Sequence, residues 1–191
     1  MSGLDAQELL HLGLHATRND DPLQAIECLK RCVALDPDNS RATYLLGALY
    51  AQIGMYDRAK ETLDSAVALD PNEHTAVFQL GLLHLTGGDV SQATATWSGL
   101  DTLAENHFLN LFRHGLLALA ADDFERSATL LGQGISANNT NEPLNNDMRN
   151  LRASAEAAAE RRGAMLPDAT EPGATGDAQH PLSAYRQPRH Q

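Results

Sequence analysis

Residues 40–73, SRATYLLGALYAQIGMYDRAKETLDSAVALDPNE, carry two helical patterns joined by a turn. Leu46, Gly47 and Tyr50 fall on one face of the first, because residues three and four apart in a helix lie on the same side. Gly54 and Tyr56 mark the turn. Ala59, Leu63 and Ala66 repeat the spacing until Pro71 ends the second helix. Gly47, Ala59 and Ala66 are small where two antiparallel helices must approach closely.

The pattern recurs along the chain. Gly13, Gly47, Gly81 and Gly115 stand 34 residues apart, which is the signature of one supersecondary unit repeated until its copies bury each other's faces. Four copies are expected, over residues 6–39, 40–73, 74–107 and 108–141. The first has Leu12, Ala25, Leu29 and Pro37, with Cys32 at a small-residue position. The third retains Leu80, Gly88, Ala93 and Trp97 but places His84, Leu100 and Glu105 where copy two has an aromatic, a small residue and a proline. The fourth keeps Gly115 and Phe124 and departs at His114, Ser127, Gly134 and Asn139.

These residues resemble the tetratricopeptide repeat. The resemblance implies an all-α fold, a right-handed superhelical solenoid of antiparallel helix pairs with about nine helices. The expected domain spans residues 1–163. Asp5 and Glu8 read as a capping box starting a helix at Ala6, and Asp21-Pro22 as an N-cap followed by a first-position proline. Asp89 and Gln92 look like a second capping box after the Gly87-Gly88 turn. After Pro143, Leu144, Met148, Leu151, Ala155 and Ala158 form an amphipathic stripe, expected to be a capping helix over residues 142–162. Residues 164–191 combine prolines, glycines and little hydrophobicity, so a disordered tail is expected there.

Composition narrows the function. The net charge is −11 and no basic stripe is present to hold phosphates, which argues against nucleic acid as the partner. No run approaches membrane-spanning length, and the N-terminus lacks the pattern of a signal peptide. A cytoplasmic, bacterial-type protein is expected. The two cysteines, Cys28 and Cys32, lie on one helix and form neither a disulfide framework nor a zinc knuckle.

Each first helix carries a second apolar row beside the one that meets its partner helix. Leu10 and Leu14, Tyr44, Phe78, Leu82 and Leu85, and Phe112, Leu116 and Leu119 lie at i, i+4 and i+7 and recur at the same positions in every copy, with Arg18, Arg41 and Gln52 at the edge. The resemblance implies that this row lines a concave groove for a peptide. Family members that clamp a carboxylate tail place lysine, arginine and asparagine there, so an apolar or amphipathic segment suits this chain better. Covering of the row by stacking, or by the chain's own C-terminal helix, is the plainer alternative.

No enzyme signature is present. His11 and His15, one turn apart, have a metal-binding spacing, but Leu12 stands where a zinc protease needs glutamate. Cys28 and Cys32 on the next helix would complete a four-ligand set only if a small-position cysteine were free to ligate, whereas buried cysteine behaves as a hydrophobe. No metal and no cofactor are expected. His84, His114 and Trp97 read as packing residues. The expected function is a non-enzymatic interaction module, an adaptor, scaffold or chaperone. A chaperone similar to those of type III secretion translocators, or a structural subunit with its groove permanently filled, are the alternatives. Within the tail, Leu182 and Tyr185 with Arg186 and Arg189 are spaced to engage an apolar groove, although an inert solubilising segment is the simpler reading.

Overall fold

The computed structural model describes residues 3–164. Among them are nine α-helices, one 3-10 turn and no strand. The helices are α1 (Ala6–Arg18), α2 (Pro22–Leu35), α3 (Ser40–Gln52), α4 (Tyr56–Leu69), α5 (His74–Thr86), α6 (Val90–Trp97), α7 (Phe108–Ala120), α8 (Phe124–Ala137) and α9 (Glu142–Ala164). The fold is an α-helical repeat. Residues 165–191, which hold nearly all of the expected tail, lie outside the described residues.

Local chemistry sets the helix starts. The Asp5 carboxylate accepts from the Glu8 amide at 2.8 Å, while Glu8 accepts from the Asp5 amide at 2.9 Å. This reciprocal cap satisfies two amides that have no partner within the helix. Asp21 caps α2 through the Gln24 amide at 3.0 Å, with Pro22 in the first turn. Between paired helices one residue is left-handed in every copy: Asp20 (φ 56°), Gly54 (φ 79°), Gly88 (φ 89°) and Asp122 (φ 59°). Glycine adopts this conformation freely, and aspartate is among the few other residues that tolerate it.

The period of the glycines has a steric cause. A Cβ built on Gly13, Gly47 or Gly115 would come within 2.9, 2.8 and 2.9 Å of Leu29, Leu63 and Leu131. At Gly81 it would strike the indole of Trp97. Each first helix is thus pressed against a large side chain of the second, closer than any alanine allows.

The chain divides into two compact units. The first comprises Met1–His84 and Gln92–Gly99, the second Leu85–Ser91 and Leu100–Gln191. The boundary runs through copy three, whose second helix differs from the other three. Helix α6 has 8 residues where α2, α4 and α8 have 14, and it passes into a 3-10 turn, Ser98–Leu100.

In the first unit α1 packs on α2, α2 on α3 and α3 on α4. Its core is built from Leu9, Leu29, Leu46, Tyr50, Leu63 and Leu80. In the second unit α7 packs on α8 and α8 on α9, with Leu109, Leu131, Met148 and Leu151 buried. A satisfied polar clasp closes the α8–α9 turn. The Asn138 side-chain amide donates to Asn145 Oδ1 at 2.9 Å, the Asn145 side-chain amide donates to the Asn138 backbone carbonyl at 2.9 Å, and the Asn138 side-chain oxygen accepts from the Thr140 and Asn141 amides. Both side chains are buried, and with every group paired the turn gains a fixed geometry without the cost of an orphan.

Candidate peptide-binding face

The second apolar row is carried in the first unit by α1, α3 and α5 as far as Leu82, and in the second by Leu85 and by α7. In the first unit Leu10, Leu14, Tyr44 and Leu82 are half-buried, and Arg18, Arg41 and Gln52 are exposed. Leu10 and Tyr44 rest on the core of that unit by one side and keep the other accessible. Burial raises the Tyr44 phenol from its ordinary value to about 12, helped by the nearby Glu73 carboxylate. The ring therefore stays neutral, an apolar body with a polar tip.

Five residues expected in the groove are instead buried: Phe78, Leu85, Phe112, Leu116 and Leu119. For the two rings the cause lies in the second helix of the same copy. Phe78 stacks on Trp97 with ring centroids 5.8 Å apart, and the indole NH donates to the Phe78 carbonyl at 3.0 Å. Phe112 fills the space left by Gly134, where a Cβ would lie 2.5 Å from the ring. Copies one and two have Cys32 and Ala66 at the position of Gly134, and there the first-helix side chains stay partly out. The glycine at 134 was the sequence signal for this difference.

Among the histidines and cysteines, His114 departs from expectation, whereas Cys32 is the small buried residue that was expected. His114 is exposed, not a core residue, and its imidazole is held below the ordinary value by partial desolvation and by Arg113 and Arg126. His84 is half-buried. Cys32 is fully buried and its thiol donates to the Ala6 carbonyl at 3.0 Å, with burial pushing its pKa up. A thiol in this state is a poor nucleophile and ligand. His11 and His15 are exposed on α1. Among the described residues no three histidine, cysteine or acidic side chains converge as a metal site.

Repeated antiparallel helix pairs with glycines at the helix contact define the class: an α-helical repeat protein. Two sequence models of the tetratricopeptide repeat match it, over residues 16–81 and 112–163. The chain belongs to the tetratricopeptide repeat family. Among solved structures it is similar to MamA from Desulfovibrio magneticus RS-1, at 18% identity and TM-score 0.60, over 86% of this chain and 94% of that one. YrrB, a tetratricopeptide repeat protein with an unusual peptide-binding site, is 17% identical with TM-score 0.58, over 85% of this chain and 81% of that one. A mutant O-GlcNAc transferase from Thermobaculum terrenum is 28% identical with TM-score 0.59, over 71% of this chain but only 27% of the transferase. No curated protein sequence matches the chain.

The family fold is in general a non-catalytic interaction fold, and it implies protein or peptide partners. No helix among the described residues is long and apolar enough to cross a membrane.

Proposed function

We infer that the chain binds an apolar or amphipathic peptide segment on the row formed by Leu10, Leu14, Tyr44 and Leu82, acting as an adaptor, scaffold or chaperone in the cytoplasm. The observation that carries this reading is that Leu10, Leu14, Tyr44 and Leu82, at two neighbouring positions of the repeat, stay partly exposed in the first unit, edged by Arg18, Arg41 and Gln52. That YrrB, with a peptide-binding site of its own, is similar in fold adds support.

The size of the row limits the affinity. Fully burying one large apolar side chain is worth about 1.5–3 kcal/mol, so four that are already half-buried offer roughly 3–6 kcal/mol gross. Association costs about 4–15 kcal/mol. Apolar contact alone therefore does not hold a ligand, and main-chain bonds or contacts from the edge residues must contribute. Only a segment that supplies both is retained.

A random peptide library selected on the full chain tests this. Enrichment of sequences with large apolar residues at helical or extended spacing is expected, together with loss of binding in Leu10→Asp and Leu82→Asp chains that keep wild-type helicity. Selected peptides that bind both variants as well as wild type would place the site elsewhere.

A further inference from the structure

The apolar row of the first unit has two edges, and their charges differ. Consecutive helices joined by short turns run antiparallel, so α1, α3 and α5 point the same way and the turns that enter them lie along one edge of the row. The turns entering α3 and α5 hold Asp36, Asp38, Asp70 and Glu73, set against Arg41 in the first turn of α3. The opposite edge, residues 18–21 and 52–55, sets Arg18 against Asp20 and Asp21 and has no charge in its second half.

Capping explains why acids stand at the entering turns but does not neutralise them. Asp36 accepts from the Asn39 side-chain amide at 3.0 Å, Asp70 from the Asn72 amide at 3.0 Å and Glu73 from the Thr75 amide at 3.2 Å. Asp38 is exposed, and none of the four is in an ion pair among the described residues. Their field reaches the row. The Tyr44 phenol, pushed up first by its own burial, is pushed further by Glu73.

We propose that the segment held on this row is basic as well as amphipathic, with lysines or arginines along the one flank that faces Asp36, Asp38, Asp70 and Glu73, a proposal that rests on the peptide site inferred above. Such a segment supplies contacts that apolar burial alone lacks. Ion pairs at an exposed rim are individually weak and are screened by salt, so they select among amphipathic segments and speed encounter rather than hold one by themselves. An acidic segment with the same apolar stripe meets like charge on that flank and is disfavoured.

The test uses peptides selected on the full chain from a random library, each measured on the Leu82→Asp chain as well. Expected is an excess of lysine and arginine over aspartate and glutamate among peptides that need Leu82. Replacing those cations by glutamine should weaken binding about tenfold at low ionic strength, for two or three lost pairs, and the gap should close toward about 1 M salt, where the Debye length falls to about 3 Å. Asp38→Lys should weaken the cationic peptides about fivefold and leave their glutamine versions unchanged. Asp64→Lys makes the same charge change at an exposed position of α4, outside these turns, and should cost less than about twofold. Peptides that need Leu82 but show no excess of cations overturn the proposal while the peptide site stands. Equal losses in Asp64→Lys and Asp38→Lys overturn it too, since the attraction would then belong to the net charge of the chain. Selected peptides that bind Leu82→Asp as well as wild type remove the peptide site itself, and the proposal with it.

Discussion

The two units carry the same second apolar row and treat it oppositely. In the first, Leu10, Leu14, Tyr44 and Leu82 remain half-exposed, whereas in the second Phe112, Leu116 and Leu119 have none of their surface accessible. Repeat phase is common to both, so phase alone does not decide whether a residue faces solvent. For the ring at 112 the deciding partner is Gly134, whose missing Cβ admits it. Phe78 shows an intermediate case. It shares the first unit with the exposed row, but a tryptophan in the helix paired with it draws it inside.

Phe112→Ala should give the largest effect, a loss of about 3–5 kcal/mol as expected for emptying a fully enclosed aromatic site. Gly134→Ala should cost about 1–3 kcal/mol by displacing the same ring. Both are read from urea denaturation followed by circular dichroism. If Phe112→Ala instead melts like wild type, the contrast between the units disappears.

Leu82→Ala in the first unit should behave differently. A half-exposed leucine loses roughly 1 kcal/mol of stability on truncation, half or less of the fully buried value, while affinity for library-selected peptides should fall about five- to tenfold. Calorimetric titration beside a thermal melt separates the two. A large stability loss with unchanged affinity would make the row of the first unit core, like that of the second.

The left-handed position is common to both units and tests what the repeat itself demands. Asp20→Gly should raise stability by up to about 1 kcal/mol, because an L-residue at positive φ carries strain that glycine avoids. Gly54→Ala should lower it by about 1 kcal/mol or more, since alanine must adopt the same strained angle. Opposite signs in denaturant midpoints are expected, and equal signs would remove the conformational explanation.

Tyr44→Phe should change least at neutral pH. Because the phenol of the folded chain titrates at about 12, above its ordinary value near 10, the folded state holds its proton more tightly than the unfolded state. The stabilisation is complete below pH 10 and is lost as pH rises from about 10 through 12. The variant should lose less stability over that interval. An unchanged alkaline profile would mean that the ring is more solvated than its burial indicates.

The sequence by itself determined the repeat. Glycines at one period, caps at Asp5 and Asp21 and the turn at Gly54 are local or strictly periodic signals, and the helices begin where those signals stand. It also contained the candidate row, since side-chain phase on a helix follows from residue spacing. Which members of the row reach solvent depended on partners not adjacent in sequence: Trp97 19 residues beyond Phe78, and Gly134 on the helix after Phe112. The same holds for the shortening of α6 and for the boundary through copy three. Helix periodicity reports which face a residue occupies. Burial is set by the volume of whatever side chain stands opposite, and only the tertiary structure brings the two together.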